Sequence, residues 1–146
     1  MRICISDTNI FIDLISIDLL DAFLELPYEI QTTDFVLLEL NDEQLNTIRT
    51  KIDLDKIAVN SADEKEIEEI VNLQKTRPAL SIEDFSVYFF AKKNNATILT
   101  GDKTFRAFAE QKKIEVNGIL WIFDEIEKSI LKERIVLADR LEKLTT

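Results

Sequence analysis

A chain of 146 residues fits one domain and is long enough to bury a real core. With 46% hydrophobic and 32% charged residues but only two Gly and two Pro, it reads as a soluble globular protein of long regular elements, not a disordered or loop-rich one. The net charge of −10 is a poor match to a polyanion, and the absence of histidine removes Ser-His, Cys-His and His-zinc chemistry.

The first apolar strand, Arg2 to Ser6, ends at Asp7-Thr8-Asn9. From Ile10 to Leu26 the apolar residues recur at helical spacing until Pro27, which predicts two helical pieces joined near Ser16 to Asp18. Asp7, Asp13, Asp18 and Asp21 interrupt this most hydrophobic region, against both a membrane span and a signal peptide. A single cysteine, Cys4, lies in the first strand and reads as a buried, inert thiol of a reducing cytoplasm.

Tyr28 to Thr32 is the second strand candidate. Asp34 is placed to cap a helix from Phe35 to Leu40, and Asn41-Asp42 restarts helix for Glu43 to Thr50. Ile57 to Val59 is a third strand. Ser61-Ala62-Asp63-Glu64 predicts a capping box opening a long acidic helix that fades before Arg77-Pro78. Ser81-Ile82-Glu83-Asp84 is another helix start, running to Lys92-Lys93 and broken by Asn94-Asn95. Ala96 to Thr100 is a buried strand ending at Gly101-Asp102. A helix from Phe105 to Gln111, a strand around Ile114 to Val116, a turn at Asn117-Gly118 and two helical segments from Leu120 to Leu144 complete the chain. Helices alternating with short apolar strands predict an α/β fold, a single three-layer α/β/α domain over residues 1–146 with a mainly parallel sheet of about five strands.

Without histidine, and with one cysteine, any metal here must be held by oxygen, which means Mg²⁺ or Mn²⁺. Four acids stand out. Asp7 and Asp102 follow buried strands, and the carboxyl end of a strand is where open α/β sheets build sites. Asp84 sits in a helix start, and Glu39 lies among residues that want burial, where an acid needs a partner or a cation. Each also has a purely structural reading: Asp7 as a helix cap, Asp84 as the third residue of a capping box, Asp102 as a turn residue.

The segments Ser6-Asp7-Thr8-Asn9, Leu38-Glu39-Leu40, Ile82-Glu83-Asp84 and Leu99-Thr100-Gly101-Asp102-Lys103-Thr104-Phe105 resemble, in order and spacing, the successive motifs of the PIN-domain (PilT N-terminal domain) family. Those are metal-dependent nucleases that include VapC-like ribonuclease toxins of toxin–antitoxin pairs. The resemblance implies a Mg²⁺- or Mn²⁺-dependent endoribonuclease whose catalytic and metal-binding carboxylates are Asp7, Glu39, Asp84 and Asp102. It further implies that Asn9, and Thr100 through its hydroxyl, hold the pocket together by hydrogen bonds. Thr104 stands where many members carry another acid or amide, which weakens a second metal position. Lys103 and Arg106, with Lys92-Lys93 and Lys112-Lys113, are candidate phosphate contacts, although surface and helix-end cations look the same in sequence. Glu83 is expected on a different helix face from Asp84, exposed and not a ligand. An RNA substrate, a homodimer and a basic antitoxin partner follow from the same resemblance, with no membrane association. Ile119 to Phe123 or the early helices would supply the dimer surface, or serve as core.

Two rival readings accompany this one. A PIN-like module that has lost activity would act as a protein- or RNA-binding scaffold, which the Thr104 departure and the net charge favour. An aspartyl-phosphate phosphatase would want a second Asp two places after Asp7, where this chain has Asn9; a phospho-receiver domain would want paired early acids and a late Lys.

Overall fold

The computed structural model describes residues 1–145, and its centre is a five-stranded parallel sheet in the order β3-β2-β1-β4-β5. The strands are β1 (Ile3–Ser6), β2 (Glu29–Thr33), β3 (Ala58–Asn60), β4 (Thr97–Leu99) and β5 (Val116–Asn117). Between them run α1 (Thr8–Ser16), α2 (Leu20–Leu24), α3 (Asp34–Glu39), α4 (Asp42–Asp53), α5 (Glu64–Thr76), α6 (Ile82–Asn94) and α7 (Lys103–Gln111), and α8 (Ile119–Thr145) follows β5. Every pairing is parallel, with Ile5 opposite Gln31 on one side and Ile98 on the other. Successive residues of a strand point to opposite faces, and Cys4, Ile5 and Ser6 are all buried. Helices therefore cover both faces, as a parallel sheet requires.

Connections follow the expected chemistry, with three corrections. Thr33, not Asp34, caps α3: its extended backbone lets the hydroxyl accept from the Val36 N–H at 3.1 Å. Asp34 is already helical, and its carboxylate accepts instead from the Phe35 and Ala62 N–H groups. The capping box of α5 begins at Asp63, with Glu66 as its reciprocal partner, not at Ser61. The last helix is continuous, not two segments, because no Gly or Pro interrupts residues 119–145.

α6 is the organising helix. It packs against β1, β2 and β4 and against α3 and α5. Phe85 and Tyr88 on α6 meet Phe108 on α7 edge to face. Thr33 shares a 2.8 Å hydrogen bond with Ser86 of α6, so the hydroxyl that caps α3 also docks that short helix on α6. Cys4 is buried, and desolvation pushes its thiol up to about 11, so it is unreactive. No helix among the described residues is long and apolar enough to cross a membrane.

Candidate active site

In this sheet the chain runs outward from β1 to β2 and β3, then crosses back to place β4 on the other side of β1. The carboxyl ends of β1 and β4 are thus the point where connections diverge, and such a point leaves a crevice. The Asp7 N–H donates to the Leu99 carbonyl at 3.0 Å, which holds the two strand ends together. A cavity of about 120 Å³ opens there, lined by Asp7, Thr8, Asn9, Glu39, Ser81, Glu83, Asp84 and Asp102. All four sequence-nominated acids stand on its wall.

Three of them are also helix caps. Asp7 accepts from the Ile10 N–H at 2.9 Å at the start of α1, and Asp102 accepts from the Phe105 N–H at 3.0 Å at the start of α7. Asp84 and Ser81 form the reciprocal capping box of α6. The structural readings of Asp7 and Asp84 therefore hold at the same time as their convergence, and Asp102 is a cap, not only a turn residue. Three helix N-termini, each carrying partial positive charge, point at one crevice and offset the repulsion of the acids gathered there.

The repulsion still registers. Burial pushes the Asp7 carboxyl up to about 6, against the Thr100 hydroxyl and Ile10 N–H bonds that favour its ionised form, and the Asp84 and Asp102 charges add to the rise. The Asp84 carboxyl is raised as well, first by burial and then by Asp102 and Glu39. Thr100, fully buried at the end of β4, donates its hydroxyl to the Asp7 carboxylate and accepts from the Asp102 N–H at 3.1 Å. One side chain thereby links the acid of β1 to the acid after β4.

Several expectations need revision here. Glu39 is exposed at the lip of the cavity, not buried: the short α3 turns Leu38 and Glu39 outward, and the Thr8 hydroxyl donates to Glu39 at 2.8 Å. Asn9 is exposed on the wall and makes none of the hydrogen bonds that join these acids; Thr8 and Thr100 make them. Glu83 is half-buried and lines the same cavity as Asp84, because the first turn of α6 rather than one face of it borders the crevice.

Thr104 does not reach the acids. It lines a neighbouring cavity of about 620 Å³ with Arg77, Leu80, Lys103 and Phe108, adjoining the acidic one where Leu80 meets Ser81 and Asp102 meets Lys103. Arg106 is folded back onto Glu110 and the Val116 carbonyl. Lys93 pairs with Glu66, while Lys92, Lys112 and Lys113 border a cleft beside Arg2 and Thr97, at the amino end of the sheet. They are removed from the acids because α6 and α7 run back from the carboxyl edge, so cations at their ends lie at the far edge. Arg77, which sequence reading passed over as the end of a fading helix, is the cation that shares the cavity of Lys103.

The donor set is carboxylate oxygen, which suits a hard divalent cation and no soft one. Among the described residues, no three acids are drawn close enough to hold an ion on their own. The caps explain the spacing: each of three carboxylates is tied to its own helix end. A cation that keeps much of its water and needs only one or two carboxylates fits such a wall, and Mg²⁺ is of that kind.

A family profile described as a PIN domain matches residues 3–144. Among solved structures, a domain of a functionally unknown protein from Methanocaldococcus jannaschii superposes with a TM-score of 0.57 at 21% identity, covering 82% of this chain and 91% of that one. PAE2754 from Pyrobaculum aerophilum gives 0.58 at 13% identity, covering 87% and 98%. VapBC-1 from nontypeable Haemophilus influenzae gives 0.54 at 18% identity, covering 80% and 98%. No curated protein gives a significant match. At these identities the structural likenesses speak to the fold alone.

Proposed function

This chain belongs to the PIN-domain family, and from that premise we propose that it is a cytoplasmic endoribonuclease of one domain, residues 1–146, using a largely hydrated Mg²⁺ or Mn²⁺ that one or two of the carboxylates Asp7, Asp84 and Asp102 would hold. The observation that carries the reading is the gathering of Asp7, Glu39, Asp84 and Asp102, from four separate segments, on one small cavity at the switch point of the sheet. Bound there, the cation supplies the positive charge that neutralises the carboxylates and the scissile phosphate and lowers the pKa of a water.

The chain's own residues do the remainder. Thr100 orients Asp7 and fixes the backbone of Asp102, so the two carboxylates keep their relative positions. Thr8 orients Glu39, which serves as a further ligand or as the base that takes a proton from the attacking water. Arg77 and Lys103, on the adjoining cavity, are placed to meet the phosphate next to the one being cut. Two cations beside an acidic site, on a chain of net charge −10, suit selective binding of RNA better than tight general binding. The toxin role, with a basic antitoxin as partner, is taken from the family to which the chain belongs.

The test is cleavage of an RNA pool in Mn²⁺, with Asp102→Ala and a chelator as controls. Cleavage by the wild-type chain alone supports the reading, and RNA left intact across a range of pools and both metals defeats it. The scaffold alternative draws on the open spacing of the acids, and it predicts RNA binding that survives Asp102→Ala without any cleavage.

A further inference from the structure

The edge of the sheet opposite the acids gathers the opposite charge. A cleft of about 520 Å³ opens there between the C-terminal ends of α6 and α7, beside the starts of β1 and β4. Four cations, Arg2, Lys92, Lys112 and Lys113, border it against a single acid, Glu115. In a chain with 28 acids and 18 cations, that local excess runs against the composition. Lys93, next in sequence to Lys92, is paired with Glu66. Among the described residues, none of Lys92, Lys112 and Lys113 has an ion-pair partner.

Cations complement the dipole at a helix C-terminus, and that accounts for Lys92 and Lys112. It does not account for Lys113. That residue follows α7 in the left-handed region, at φ 63°, where glycine sits freely and a lysine is strained. The matching end of α6 carries Asn95 at φ 53°, and asparagine tolerates this region better than most residues. Lys113 is thus a positive charge held against local backbone preference, on a cleft that is already cationic.

We propose that this cleft binds an oligophosphate anion, of the size of pyrophosphate or triphosphate, free or as the tail of a nucleotide. Lysines are compact point charges on flexible stems, able to meet phosphate oxygens in many arrangements. Arg2, whose planar fork would favour a carboxylate, is already engaged. It pairs with Glu115 at 2.5 Å, donates to the Thr97 hydroxyl at 3.0 Å and lies over the Tyr28 and Trp121 rings. Among the described residues no aromatic side chain lines the cleft, so nothing there stacks on a base and the phosphates alone are read. Its volume is that of a small-ligand site. A long nucleic acid would have to leave the cleft across a chain of net charge −10, whereas a short anion meets only the cations.

The test is calorimetric titration of the full chain with inorganic tripolyphosphate, in chelator and about 0.15 M salt. Chelator leaves the acidic cavity no cation with which to hold a phosphate, so the result is independent of any cleavage. Saturable binding is expected, with ATP competing for the same position at similar affinity. Lys92→Ala should weaken it about tenfold. Lys113→Gly should weaken it as much while raising the melting temperature, because glycine relaxes the left-handed turn. Lys65→Ala, on the exposed first turn of α5, should change nothing. A wild-type chain that shows no saturable binding at millimolar tripolyphosphate overturns the proposal. So does binding that survives both Lys92→Ala and Lys113→Gly, binding that Lys65→Ala weakens equally, or ATP binding that tripolyphosphate does not displace.

Discussion

Asp7→Asn should stabilise the metal-free protein at neutral pH. Asp7 is buried, and its carboxyl is raised from 3.8 to about 6. For an acid raised in the folded state, the folded form binds more protons than the unfolded one between those two values. Stability therefore falls as pH climbs from about 4 to 6, and the loss is complete above that. Two pKa units correspond to roughly 3 kcal/mol. Asparagine keeps the Ile10 cap but exchanges the charge-assisted bond from Thr100 for a neutral one, which returns about 1 kcal/mol. A net gain on the order of 1–2 kcal/mol, or roughly 2–8 °C in Tm for a domain of this size, should appear at pH 7.5 in chelator and vanish near pH 4. Saturating Mg²⁺ or Mn²⁺ should reverse the ranking, since a ligand at 100 times its Kd adds about 2.7 kcal/mol to the chain that binds it. Thermal melts of both chains at the two pH values, with and without metal, decide the matter. An Asp7→Asn chain no more stable than the wild type at pH 7.5 in chelator would show Asp7 to be a cap and nothing more, and the charge-cluster argument would go with it.

Asp102→Asn should retain the α7 cap and Asp102→Ala should cost about 1 kcal/mol, while both suppress cleavage; matched loss of activity and unmatched loss of stability separates the two roles. Thr100→Val leaves a buried carboxylate without its hydroxyl donor and should destabilise by roughly 1–3 kcal/mol at pH 7.5 but less at pH 4, read from denaturant midpoints. Arg77→Ala should weaken RNA binding in a gel-shift titration and flatten its salt dependence, with the unfolding curve nearly unchanged; Lys92→Ala, at the far edge, should do neither. Phe85→Ala, in the α6–α7 packing, should cost roughly 3–5 kcal/mol in chemical denaturation.

The order of elements and the parallel sheet were legible in the sequence because they rest on local signals: apolar runs of strand length, helical spacing, capping residues and breakers. The four acids were legible for a related reason, since Asp7 directly follows a buried strand, Asp102 lies in the turn after another, and Asp84 opens a helix. Side-chain direction and distance were not legible. Whether Glu39 is buried depends on how α3 docks on α6 through Thr33 and Ser86, a contact 53 residues apart in sequence. The pairing of Arg77 with Lys103, the retreat of Lys92 and Lys112 to the opposite edge, and the assignment of the linking hydrogen bonds to Thr8 and Thr100 instead of Asn9 were likewise settled by packing. Sequence alone determined which chemistry the chain can carry, because composition limits the available donors to oxygen. Only the tertiary structure decided where those donors meet, because Asp7, Asp84 and Asp102 are aimed by the helices they start and Glu39 by its bond from Thr8, and the helices are aimed by the core.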